Sequence, residues 1–87
     1  MSQRVFHIQV LFFARARELA GTDSTQVELP ADASVADALD QLARSYPELG
    51  KYLGSCRTAL NEQFVPPNTP LVDDSVLAII PPVSGGV

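Results

Sequence analysis

Residues 75–87 read SVLAIIPPVSGGV, and the fold turns on how that ending is read. Val76 to Ile80 are apolar at every position, so both faces of a strand placed here are apolar. That pattern predicts a central strand of a sheet. Pro81 and Pro82 stop it, stiffen the exit and project the chain away from the body. Ser84 to Val87 then span at most ~13 Å when extended. Gly85 and Gly86 lack a Cβ and fit a channel too narrow for other residues. A body too wide to enter a partner, ending in a thin tail that fits, has the geometry of a carrier. Its chemistry would sit on a terminal carboxylate. A frayed end is the plainer alternative.

Working outward, Arg4 to Phe13 (RVFHIQVLFF) alternates, with Phe6, Ile8, Val10 and Phe12 on one face. ARARELAG predicts a two-turn helix that Gly21 ends. TQVELP predicts a second strand, closed by Pro30 and paired with the first. SVADALDQLARSYP is the clearest helix. Ser34 and Asp37 form an S-x-x-D capping box, and Val35, Ala38, Leu39, Leu42, Ala43 and Tyr46 recur on one stripe. Pro47 stops it, and ELGKYLGS reads as an irregular link. CRTALNEQFVPP reads as strand, two-residue turn at Asn61-Glu62, and strand. Asp74 suits a left-handed turn position.

The first and last strands are the most apolar and are expected to be neighbours. The order is strand, short helix, strand, long helix and three strands. It predicts an α+β, β-grasp (ubiquitin-like) fold: a mixed four- to five-stranded sheet packed by one long helix. The expected organisation is a domain over residues 1–83 and a flexible C-terminal Gly-Gly tail over 84–87.

Composition narrows the function. A chain of 87 residues is one domain, burying roughly 60–65% of its unfolded surface. An apolar fraction of 46% and a charged fraction of 18% fit a soluble globule. No apolar run approaches the ~20 residues of a membrane helix. The N-terminus is a poor signal peptide, so a cytoplasmic protein without a membrane partner is expected. The net charge is −4, with six scattered basic residues, which argues against a nucleic-acid partner.

Conventional active-site chemistry is hard to assemble. Cys56 is the only cysteine and His7 the only histidine. They form no internal disulfide and too few ligands for a structural zinc site, so no metal is expected. As a thiol–imidazole pair they lack a visible orienting third group. A packed Cys56 and a sheet-face His7 are the simpler readings. Asp73-Asp74 is read as turn-forming rather than as a catalytic carboxylate pair. Gly85-Gly86 has no helix after it to bind an anion.

At the opening FFARARELAG (Phe12 to Gly21), the helix at Ser34, the LNEQFV hairpin and LVDDSVLAIIPPVSGG, the sequence resembles the small, MoaD-type subunit of molybdopterin synthase. That family belongs with the ubiquitin-like sulfur carriers of the MoaD/ThiS group. The resemblance covers nearly the whole chain. It implies that the Gly86 carboxylate is adenylated with ATP by a ubiquitin-activating-like enzyme of the MoeB type, then converted to a thiocarboxylate. The large, MoaE-type subunit would take in the tail, Val83, Ser84 and Gly85, and move sulfur onto a pterin precursor to make the dithiolene of molybdopterin. ATP is used by the activating enzyme, and no cofactor is bound by the carrier itself. The resemblance further implies a carrier that is not catalytic alone but is the sulfur-donating subunit of a two-large, two-small heterotetramer.

By position, Arg17 and Glu18 match the R-E of the opening motif, and Arg17 is expected to face a partner. Phe12, Phe13 and Ile80, with Pro81 and Pro82, are the candidate partner interface, on an apolar face that a single helix leaves over. Core positions are the alternative for Phe12, Phe13 and Ile80. The family's mature chains end at the second glycine, and here Val87 follows. Val87 is removed before activation, or is an addition to the native end, or the chain is not charged as written. The rival functions are a carrier for thiamine or cysteine synthesis and a non-catalytic β-grasp interaction module.

Overall fold

The computed structural model describes residues 4–82. Strand β1 spans Val5–Phe12, helix α1 Ala14–Ala20, strand β2 Ser24–Pro30 and helix α2 Val35–Ser45. A one-turn helix α3, Pro47–Gly50, and a 3-10 turn, Leu53–Ser55, precede β3 (Arg57–Leu60), β4 (Gln63–Val65) and β5 (Val76–Ile80). The strands form one mixed sheet in the order β2-β1-β5-β3-β4. β5 lies at its centre, parallel to β1 and antiparallel to β3. The first and last strands are therefore neighbours, as their apolar character predicts.

One face of the sheet carries the core. Ile8, Val10 and Phe12 of β1, Val27 and Leu29 of β2, and Leu77 and Ile79 of β5 are buried beneath Val35, Ala38 and Leu42 of α2. Each large side chain fully buried there contributes about 1.5–3 kcal/mol. Asp37 caps α2 from within: its Oδ2 accepts the Ser34 backbone N–H at 2.8 Å and the Ser34 hydroxyl at 3.3 Å. Gly21 ends α1 at φ 77, and its N–H donates to the Arg17 carbonyl.

Two details depart from expectation. The link after Pro47 is not irregular: α3 and the 3-10 turn occupy it, and bury Leu49 and Leu53 against the core. The sheet is thus packed by α2 together with shorter helices rather than by one long helix. Pro47 does end α2, and as the first residue of α3 it also starts the next helix, where its missing N–H costs nothing. The proposed boundary at 83/84 and the tail 84–87 lie outside the described residues.

Candidate functional site

The other face of the sheet carries the exposed apolar side chains. Strand register brings Leu11 beside Ala78, Ala78 beside Ala59, and Ala59 beside Phe64. Directly paired residues share a face, so these four form a row across β1, β5, β3 and β4 on the side away from α2. Small alanines occupy the two middle columns and large side chains the outer ones. The result is an open trough of about 590 Å³, floored by Ala59 and Ala78 and walled by Leu11, Phe13 and Phe64, with Ile80 at one end. Phe13 is 47% and Phe64 56% exposed. Val76, Ala78 and Ile80, on the apolar face that the helices leave over, are only half-buried, because no described helix lies over this side. An exposed apolar surface of this kind marks an interaction site.

The β3–β4 hairpin is held where it shapes the trough. Asn61 and Glu62 both have positive φ, 49 and 72, which gives the turn the twist of its strands. The Asn61 N–H donates to the Val76 carbonyl, and Asn61 Oδ1 accepts the Val76 N–H, both at 2.9 Å. This clamp ties the turn to β5. Arg57, paired with Ile80 across the sheet, stacks its guanidinium 3.9 Å above the Phe64 ring centroid.

The candidate residues fall in different places. Phe13 and Ile80 line the trough. Phe12 does not: alternation along β1 turns it inward, where it is 2% exposed and meets Tyr46 edge-on at 5.6 Å. Its assignment to a partner interface is corrected to a core role. Arg17 is exposed on α1 beside Leu11 and Phe13 and makes no ion pair among the described residues. Glu18 bonds to Arg15 at 2.9 Å instead. Pro81 is half-buried and Pro82 exposed where β5 ends. Val83, Ser84, Gly85, Gly86 and Val87 lie outside the described residues. Leu11, Ala59, Phe64 and Ala78 were not singled out from sequence. Their shared row depends on cross-strand register, although the alternation of β1 and of the hairpin contains the signal.

The other reactive groups are separated or committed to structure. His7 accepts the Asp74 N–H through its carbonyl at the start of β5, and Cys56 adjoins Arg57, opposite the end of β5. They therefore lie at opposite ends of that strand. Cys56 Sγ contacts the Tyr52 carbonyl at 3.6 Å, and burial pushes its thiol pKa up, the reverse of an activated nucleophile. Asp73 Oδ1 accepts the backbone N–H of His7 and of Asp74 at 2.9 and 3.0 Å, and Asp74 sits at φ 59. The pair forms a turn. Donor atoms of His7, Asp73 and Asp74 lie within 4.8 Å of one another, but that turn already uses one of the Asp73 oxygens.

A family model described as the ThiS family matches residues 10–86. The chain belongs to the ThiS family. The ThiS-family match runs from Val10 through the trough residues to Gly86. The chain is 41% identical over 81 residues to a protein named molybdopterin synthase sulfur carrier subunit from Chlamydomonas reinhardtii, covering 91% of this chain and 98% of that one. It is 40% identical to the protein of the same name from Escherichia coli, at 91% and 99% coverage. Among solved structures it resembles SAMP1 from Haloferax volcanii, with TM-score 0.83, 30% identity and 92% and 99% coverage. It also resembles a chain in a complex of subunits 1 and 2 of molybdopterin-converting factor from Helicobacter pylori, with TM-score 0.68, 28% identity and 93% and 100% coverage. The ubiquitin-like β-grasp architecture read from the element order is that of these structural neighbours. No described helix is long and apolar enough to cross a membrane.

Proposed function

We propose that this chain is the sulfur carrier subunit of a molybdopterin synthase, presenting Gly86 as an acyl carrier to a large catalytic subunit. The observation that carries this reading is the relatedness over almost the whole chain to proteins bearing that name. The Gly86 carboxylate reacts with ATP on an activating enzyme, giving an acyl-adenylate and pyrophosphate. Sulfur from a donor displaces AMP to leave a thiocarboxylate. The large subunit then moves that sulfur onto a pterin precursor, and Gly86 returns to a carboxylate. A carboxylate is a poor electrophile, so the adenylate supplies the leaving group. Docking of the body fixes where the sulfur is delivered.

In this sequence the Gly86 carbonyl is bonded to Val87, so charging requires hydrolysis of that peptide bond. The trough is the surface we assign to the large subunit. Ile80 both lines it and ends β5, so a partner seated on the trough stands beside the point where the chain leaves the sheet. A carrier for thiamine or cysteine synthesis is the rival reading within the family, and the names of the similar proteins favour the first.

The test is reconstitution. The chain ending at Gly86, prepared as its thiocarboxylate, is mixed with a large synthase subunit and pterin precursor. Dithiolene product formed at the expense of the thiocarboxylate is the expected result. A thiocarboxylate consumed only by a thiazole-forming or cysteine-forming partner overturns it.

A further inference from the structure

We propose that the free edge of β2 is a second docking site, which takes an extended Lys/Arg-bearing segment of a partner protein as an added strand. Among the described strands, β2 has β1 as its only neighbour. The Phe12 N–H donates to the Asp23 carbonyl at 2.9 Å, and the Ala31 N–H to the Arg4 carbonyl at 3.3 Å. With Val10 opposite Thr25, Ile8 opposite Val27 and Phe6 opposite Leu29, these bonds fix the parity of the ladder. Thr25, Val27 and Leu29 bond to β1, while Ser24, Gln26, Glu28 and Pro30 turn their backbone groups outward. Both ends of that outward row are already engaged. The Ser24 carbonyl accepts from Thr22 Oγ1 at 3.1 Å, and the Pro30 carbonyl accepts the Ala33 N–H at 2.9 Å. The N–H and C=O groups of Gln26 and Glu28 have no bond to another element among the described residues. An open row of this kind is a template for one more strand.

The surroundings specify the charge of that strand. A groove of about 530 Å³ runs between the end of β2 and α2, with Asp32, Asp37 and Asp40 around it against Arg44. Glu28, which borders it on β2, turns its carboxylate to the opposite face of the sheet, 3.6 Å from His7 Nε2. Leu29 and Ala33, which also line it, are buried residues. Alternate side chains of an added strand point to the α2 side. Lys or Arg stems there would lie along the apolar lining while their heads reach the carboxylates. An acidic segment is repelled, and so is the same edge of a second copy of this chain. Pro30 pairs with Val5, at the opposite end of β1 from Phe12. Eight residues of strand, about 25 Å, therefore separate this groove from the end of β5. A segment bound here leaves the trough and the exit of the tail open. The site does not depend on the sulfur-carrier reading.

The test is titration of the ¹⁵N-labelled chain with an acetylated, amidated KVKVKVK peptide and with its Glu-for-Lys counterpart. The Lys peptide should shift the amides of Gln26, Glu28, Asp40 and Gln41 and slow exchange of the Gln26 and Glu28 N–H groups. It should bind at least about tenfold tighter than the Glu peptide. Asp40→Lys and Asp32→Lys should each weaken it by about tenfold, as should N-methylation of alternate peptide amides, while Phe64→Ala leaves binding unchanged. Equal binding of the two peptides, shifts confined to the trough, or indifference to N-methylation overturns the proposal.

Discussion

The Arg57 guanidinium lies 3.9 Å above the ring of Phe64, on neighbouring strands at one wall of the trough. An exposed cation–π contact contributes about 0.5–1 kcal/mol, which helps hold an aromatic side chain upright where water surrounds it. Phe64 is more exposed than Phe13, and exposed aromatic residues of this kind act as anchors in interfaces.

Phe64→Ala should therefore weaken binding of a large synthase subunit by about tenfold or more, a loss typical of an anchor residue. It should lower stability by less than about 1 kcal/mol, since little core is lost. Calorimetric titration together with urea unfolding checks both numbers.

Phe12 and Phe13 are adjacent and should behave in opposite ways. Phe12→Ala empties a core position and should cost about 3–5 kcal/mol of stability. Phe13→Ala should leave stability within about 1 kcal/mol and reduce partner binding instead. Denaturant midpoints and pull-down with the large subunit separate the two effects.

That pair also marks the limit of what the sequence discloses. Alternation through Phe6, Ile8, Val10 and Phe12 already turns Phe12 inward, but the apolar run LFF hides where the alternation ends. The central place of β5, the Asn61-Glu62 turn, the left-handed Asp74 and the Ser34–Asp37 cap were legible, because each rests on local chemistry. The Leu11–Ala78–Ala59–Phe64 row was not, since it joins β1, the β3–β4 hairpin and β5, three segments apart in sequence, through their register. The one-turn α3 is too short for helical periodicity to declare itself.

Glu62 holds a left-handed conformation that costs a side-chain-bearing residue about 1 kcal/mol. Glu62→Gly should raise stability by up to that amount, because the hairpin turn prefers Asn-Gly. A higher urea midpoint at unchanged m-value is the expected observation.

Burial raises the Cys56 thiol pKa, so the folded chain should be alkylated by iodoacetamide more slowly than the urea-unfolded chain at pH 8–9. The sign follows from linkage. A group that holds its proton more tightly when folded loses stabilisation as pH rises above its unfolded pKa. Stability should therefore decline on the alkaline side of the ordinary thiol range, and Cys56→Ser should flatten that decline. Alkylation kinetics followed by mass spectrometry, and unfolding at several alkaline pH values, test this.

The central claim is that Gly86 carries sulfur. Its most direct test is the intact mass of the chain purified from its own cells, with and without incubation with its activating enzyme, ATP and a sulfur donor. The account predicts loss of the Val87 residue together with an oxygen-to-sulfur increase at the new carboxyl end. A full-length, unmodified mass under the same charging conditions would contradict it.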